Sequence, residues 1–342
     1  MNKLDQDYKN LLQDILDNGT RKMDRTKTGT LSVFGRQIRH KMKDGFPALT
    51  TKKLAFKTMV TELLWFLNGR TDLRYLVERN CNIWNGDAYK FFCNQPQFLG
   101  HEDIPSMEWF VNEIKTNDEF SKKFGDLGPI YGHAWRKWGE RRHDSIANEH
   151  FIGIDQIANV ISELKTNPDS RRLLVSAWNV ADLPDQVLPP CHYAFQFYTR
   201  ELSLEERMEI FKKQNNGSHP EDIEMMDDYE IPVRAISLMW AQRSCDLPLG
   251  EPINTMSYSL LLMMVAKQVN MVPDEVIGNF GDCHIYLNQI DGIKEQLTRE
   301  PYELPTVTIS DRVVNDISEY TIDDITLHNY KHHPAIKMPL SN

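Results

Sequence analysis

Apolar positions along the chain change period several times. Tyr8, Leu11, Leu12, Ile15 and Leu16 recur at helical spacing, and "NGT" at 18–20 supplies a stop. "GTLSVFGRQIRHKM" then reads as a strand. After "GFPALTTKK", the run "AFKTMVTELLWFLNG" predicts an apolar helix closed by Gly69. Residues 86–124 are polar and weakly periodic, and read as an inserted subdomain. "FIGIDQIANVISELKTNP" predicts a helix stopped before Pro168, and "RRLLVSAWN" a strand. "HYAFQFYTRE" and "RAISLMWAQR" read as strands flanking a charged stretch, 201–232, which is too long for a hairpin turn and reads as a surface insertion. "TMSYSLLLMMVAKQVNM" predicts a buried helix, and "EVIGNFGDCHIYLNQIDGIKEQL" a strand that turns into helix. Strands and helices alternate irregularly without an internal repeat. The expectation is an α+β fold: a single domain over 1–342, built on a large mixed β-sheet flanked by helices, with insertions at about 86–124 and 201–232.

Composition narrows the classes. With 342 residues, 41% of them hydrophobic, the chain can bury a sizeable core. No apolar run reaches the length of a membrane span, and "MNKLDQDYKNLLQDIL" lacks the apolar centre of a secretory signal. Five cysteines, odd in number and without CxxC spacing, argue against a disulfide framework or a zinc site and for the cytoplasm. A net charge of −10 argues against a nucleic-acid polymer as partner, because phosphate neutralisation dominates such binding. Small anionic ligands need only a few local arginines.

Four stretches gather polar residues beyond structural need. In "LPPCHYAFQFY" the prolines force an extended entry to a strand that begins at Cys191, which is either a small core side chain or a thiolate held out for chemistry. By strand parity Cys191, Tyr193, Phe195 and Phe197 share one face, and His192, Ala194, Gln196 and Tyr198 the other. "QRSCDLPLGEPIN" follows a strand and places Arg243, Ser244, Asp246, Gly250 and Asn254 within one loop and helix start, as a polar small-molecule site requires. In "GDCHIY", Asp282, His284 and Tyr286 share a parity. Arg171-Arg172 and Arg25 supply guanidinium forks suited to phosphate, although neighbours on a strand face opposite ways. Glu62 stands among Met59, Val60, Leu63, Leu64 and Trp65: either on the outer helix face, or buried with partners or a raised pKa. No glycine-rich phosphate loop is present.

These stretches, in this order, resemble the folate-dependent thymidylate synthases. The matching pieces include "DRTKTGT", "GFPALTTKK", "ELLWFLNG", "NIWNG", "GDLGPIYGHAWR", "DSRRLLVSAWN", "LPPCHYAFQFY", "QRSCDLPLG", "PINTMSY", "GDCHIYLNQI" and a closing "HHPAIKMPLSN", nearly end to end. The resemblance implies a methyltransferase that converts dUMP to dTMP, with 5,10-methylenetetrahydrofolate as carbon and hydride donor and no metal. It implies that Cys191 is the nucleophile that adds to C6 of uracil, with Arg243 beside it favouring the thiolate. Glu62 then handles protons around the pyrimidine, and Tyr131 matches a tyrosine assigned to removal of the C5 proton. Arg25, Arg243 and Ser244 match phosphate contacts. Arg171 and Arg172 match a pair sent in from the neighbouring subunit, which implies a homodimer with shared active sites. His284 and Tyr286 match sugar contacts, and Asn254 reads the base. Asp246 matches a contact at the pterin and the pyrimidine side. Trp84, Leu249, Gly250, Ile253 and Ser341 resemble the folate wall and lid.

This chain also departs from the pattern. Ala55 stands where many bacterial members have a folate-contacting histidine, Ile253 replaces a frequent phenylalanine, and the tail "MPLSN" ends in polar residues. The alternative implied by those departures is a dUMP hydroxymethylase, in which water attacks the shared methylene intermediate. Related dCMP hydroxymethylases carry Asp at the position of Asn254.

Overall fold

A computed structural model describes residues 2–23, 27–95, 104–140 and 153–340. Eight strands are found among them: β1 Thr20–Lys22, β2 Thr30–Lys41, β3 Leu174–Ser176, β4 His192–Glu201, β5 Arg234–Asp246, β6 Val272–Tyr286, β7 Thr306–Ile309 and β8 Ile325–His328. Six form one sheet in the order β1-β2-β6-β5-β4-β3, and β7 pairs with β8 in a small separate ribbon. β5 and β6 run parallel, while the other pairs in the large sheet are antiparallel. The sheet is therefore mixed and the fold α+β, as the irregular alternation predicts.

The parallel pair requires a crossover, and the helix Gly250–Gln268 provides it. Its apolar residues run round most of its surface, so it must be covered on several sides. It packs on β5 and β6 and against the helix Phe56–Leu67, itself buried from Met59 to Leu67. Trp65, Trp240, Phe195, Leu261 and Leu262 are among the buried centre of this sandwich. On the other sheet face Phe34, Tyr193, Tyr198 and Met239 stay exposed, between 38% and 80%.

Register decides where the polar residues meet. Thr30 lies opposite Tyr286, Asp246 opposite His284, and Gln242 opposite His192. The start of β2 and β4 and the end of β5 and β6 thus share one end of the sheet. The opposite end carries the 201–232 excursion, where the helices Leu204–Gln214 and Ile223–Asp228 close a small core of Phe211, Met226 and Ile231.

Three local readings change. Residues 86–124 read as weakly periodic, yet hold the helices Asn85–Cys93, Met107–Thr116 and Asp118–Phe124, around the rings of Phe92, Phe110, Phe120 and Phe124. Short helices give too few turns for a period to show. The strand expected over 171–179 is only Leu174–Ser176, and Arg171-Arg172 form a turn before it, so strand alternation does not govern them. There the Ser170 N–H donates to the Asn167 carbonyl at 3.0 Å and the Arg172 N–H to the Ser170 hydroxyl at 3.2 Å. The parity of β4 breaks at a bulge between His192 and Ala194. One extra residue there turns His192 into the core alongside Phe195 and Phe197, and leaves Tyr193 on the open face.

Candidate active site

Cys191 sits half-buried at the entry to β4, with its backbone clamped on two sides. Its N–H donates to the Tyr131 hydroxyl oxygen at 2.8 Å, and its carbonyl accepts from the Arg243 N–H at 2.8 Å. The Arg243 guanidinium folds back onto the diproline: Nε donates to the Pro190 carbonyl at 2.8 Å and Nη2 to that of Pro189 at 2.9 Å. Its charge also lies 5.4 Å from the Trp178 ring. The guanidinium is thereby fixed on the two carbonyls that precede Cys191. Tyr131 is buried, and burial, with Cys191 next to it, holds its phenol well above the ordinary value; it is a neutral hydroxyl.

Glu62 lies inward, not on the outer helix face. It is 7% exposed, and the Trp84 indole N–H donates to its carboxylate at 2.8 Å. Burial pushes its pKa up from 4.5 to about 7, against the opposing pull of that hydrogen bond. A carboxyl that is half protonated near neutrality can both give and take a proton.

The orientation of the Asn254 amide is decided by a residue the sequence reading passed over. The Trp240 indole N–H, which can only donate, points at Gln242 Oε1 at 3.3 Å. Gln242 Nε2 donates to the Ser244 carbonyl, which can only accept, at 3.0 Å. Both ends of Gln242 are thereby assigned. Its Oε1 takes a hydrogen from Asn254 Nδ2 at 3.1 Å, so the Asn254 oxygen stays available as an acceptor. Gly278 makes room for this arrangement: it lies opposite Trp240, and a Cβ there would fall 2.5 Å from the indole ring. The signal was present in "QRSC", but a glutamine on a strand has no distinctive spacing.

His192 was also missed, because parity placed it opposite Cys191. It is buried, stacks on the Tyr131 ring at 4.1 Å, and its Nδ1 lies 2.7 Å from the Tyr258 hydroxyl. Burial lowers its pKa to about 3, so the imidazole is neutral.

Asp246 closes β5, largely buried; burial raises its carboxyl, opposed by His284 and Lys52. The Leu249 N–H donates to it at 3.3 Å, which draws Leu249 and Gly250 over the site at the start of the central helix, with Ile253 one turn on. On β6, Asp282, His284 and Tyr286 share a face as expected: His284 Nδ1 lies 3.1 Å from the Asp282 carboxylate, and the His284 and Tyr286 rings are 5.4 Å apart. Arg171 and Arg172 do not join this cluster. They are exposed and line a separate hollow with Glu163, Asn167, Asp169 and Ser170. Arg25 and Ser341 lie outside the described residues. Among the described residues no group of three or more His, Cys, Asp or Glu comes together to hold a metal ion.

A cysteine whose flanking backbone is held by an arginine, a buried carboxyl with a raised pKa and an amide of set orientation make up the kind of polar, partly buried site that enzymes of small-molecule substrates use. The family model described as thymidylate synthase matches residues 6–342. Thymidylate synthase of Malacoplasma penetrans is 40% identical over 331 residues, covering 97% of this chain and 98% of the relative. That of Listeria monocytogenes serotype 4a is 39% identical over 352 aligned positions, covering 98% and 99%. That of Phytoplasma mali is 40% identical over 332, covering 97% and 98%. The chain belongs to the thymidylate synthase family.

Proposed function

We propose that this protein converts dUMP and 5,10-methylenetetrahydrofolate to dTMP and dihydrofolate, with the residues above in the following roles. The Cys191 thiolate adds to C6 of uracil, and the negative charge moves to C5 and O4, which makes C5 a nucleophile. C5 then takes the one-carbon unit from the folate. Loss of the C5 proton and of the folate amine leaves an exocyclic methylene, which accepts a hydride from the folate, and Cys191 departs. Asn254 accepts from the uracil N3–H and donates its second amide hydrogen to O4. Glu62 passes protons at the O4 edge through water. Tyr131, being a neutral phenol, takes part in removal of the C5 proton by hydrogen bonding rather than as a phenolate. Arg243, Ser244 and Arg25 hold the phosphate, and His284 and Tyr286 the sugar. Asp246 meets the pterin and the pyrimidine side, between walls formed by Trp84, Leu249, Gly250 and Ile253, with Ser341 in the lid.

The single observation that carries this reading is the Cys191–Arg243 clamp on the same sheet end as the locked Asn254 amide. The open sheet face with Phe34, Tyr193, Tyr198 and Met239 supports a homodimer. The separate position of Arg171 and Arg172 supports their reaching a partner's phosphate. Residues 1–342 are read as one domain with insertions at 86–124 and 201–232. No helix among the described residues is long and apolar enough to cross a membrane, and the reading places the enzyme in the cytoplasm.

The test is turnover with both substrates, with products identified by mass. Formation of dTMP and dihydrofolate is expected; a product one oxygen heavier would instead assign a hydroxymethylase. With 5-fluoro-dUMP and the folate, a covalent ternary adduct on Cys191 is expected, because fluorine blocks loss from C5. Its absence by intact mass would overturn the mechanism.

A further inference from the structure

On β6, two residues before His284, stands a carboxylate to which the mechanism above gives no part. Side chains from three strands converge on Asp282. Lys22, the last residue of β1, donates from Nζ to Oδ2 at 2.9 Å. The buried Ser32 hydroxyl, from β2, donates to Oδ1 at 2.8 Å. Lys22 Nζ also donates to the Ser32 oxygen at 3.4 Å, which leaves the hydroxyl hydrogen for Asp282. His284 Nδ1 lies 3.1 Å from Oδ1 and 3.3 Å from the backbone carbonyl oxygen of Asp282. Burial works against the charge of Asp282, but the hydrogen bonds from Lys22 and Ser32, with His284 beside them, outweigh it and hold its pKa below the ordinary value.

These contacts settle which ring nitrogen carries the hydrogen. A carboxylate oxygen and a backbone carbonyl oxygen can only accept, so Nδ1, which faces both, is the donor. In the neutral ring Nε2 then keeps its lone pair, and it has no hydrogen-bond partner among the described residues. The Tyr286 ring stands edge-on to the imidazole, at 5.4 Å and 86°, and limits its rotation. The sugar of dUMP has one free hydroxyl, at C3′, because C2′ bears none and C5′ bears the phosphate. An O–H there can donate to Nε2.

We infer that Asp282 is a positioning residue for sugar recognition: it holds His284 with the hydrogen on Nδ1, so that Nε2 accepts from the 3′-hydroxyl of the nucleotide. The inference rests on the proposed sugar contact of His284. Lys22 has two effects on this arrangement. Asp282 lies opposite Ser244, the proposed phosphate contact on β5, where a bare carboxylate would repel the phosphate; the ammonium offsets that charge. Lys22 also requires an acceptor at the Oδ2 position, since an ammonium can only donate.

The test is calorimetric Kd for dUMP and for 2′,3′-dideoxyuridine monophosphate, which lacks the hydroxyl. Wild type should prefer dUMP by about tenfold. In Asp282→Ala the preference should fall to about threefold or less, because the ring can turn or exchange its tautomer. The Asp282 side chain is 37% exposed, so its removal leaves no buried gap. Asp282→Asn should lose the preference too: Lys22 draws the amide oxygen, the amide N–H turns to Nδ1, and the ring hydrogen moves to Nε2. With Lys22→Met added to Asp282→Asn, the amide oxygen can return to Nδ1 and most of the preference should recover. These two asparagine variants carry the test if the alanine variant does not fold. An unchanged preference in Asp282→Ala, or no recovery in the double variant, overturns the inference, because a packing defect weakens both ligands by the same factor. Wild type that binds both ligands equally overturns it as well and leaves the nucleotide reading standing. Wild type that does not bind dUMP overturns that reading, and the inference with it.

Discussion

Glu62→Gln is expected to inactivate the enzyme and, at alkaline pH, to stabilise it. Glutamine keeps the shape of the side chain and can still accept from the Trp84 indole N–H, but it does not titrate. In the folded protein the Glu62 pKa is raised from 4.5 to about 7, so folding favours its protonated form. The associated stability is fully present below the unfolded value and is lost as pH rises through the folded one. The difference between the two values corresponds to about 3 kcal/mol at 1.36 kcal/mol per unit. The difference in unfolding free energy, glutamine minus wild type, should therefore grow by about 3 kcal/mol between roughly pH 4 and roughly pH 8. Urea unfolding of both proteins at several pH values and one fixed protein concentration measures it. Glu251 shifts in the same direction but is present in both proteins, so its contribution cancels. Turnover should fall by about a hundredfold or more as a proton-handling group is lost. A stability difference that changes by less than about 1 kcal/mol over that range would refute the claim that a buried, titrating carboxyl stands at this position.

Cys191→Ser should bind dUMP by calorimetry yet lose nearly all turnover, because an alcohol is a far weaker nucleophile; activity within about tenfold of wild type would remove Cys191 from the mechanism. Mixing Cys191→Ser protein with Arg172→Ala protein should restore part of the activity, since a heterodimer can hold one site free of both lesions. No rescue after demonstrated subunit exchange would refute the shared site. Deleting Leu340–Asn342 should leave dUMP affinity intact and cut dTMP formation severely. The tail is anchored just before this point, where Gln289 Nε2 donates to the Pro339 carbonyl at 3.2 Å and Met338 packs on Gly292. Diversion of the methylene intermediate to a water or thiol adduct would register by mass, and an unchanged product yield would refute the lid.

What the sequence determined by itself was local. Helical spacing marked Tyr8 to Leu16, the apolar run 56–67 and the central helix, because a helix or strand imposes its period on neighbouring residues. Ordered motifs resembling those of the family marked Cys191, Arg243, Asp246, Asn254 and His284 as candidates, because each motif is a short run of neighbouring residues. Tertiary structure decided whatever depends on distant neighbours. Glu62 could have faced water or the core until Trp84, 22 residues away, was seen to donate to it. The Asn254 amide has no preferred direction in the sequence; Trp240 and the Ser244 carbonyl set it through Gln242. A one-residue bulge carried His192 to the side of Tyr131, which no period could announce. Hydrogen-bond direction and desolvation are properties of what surrounds a group, and the chain brings those surroundings from segments far apart in its sequence.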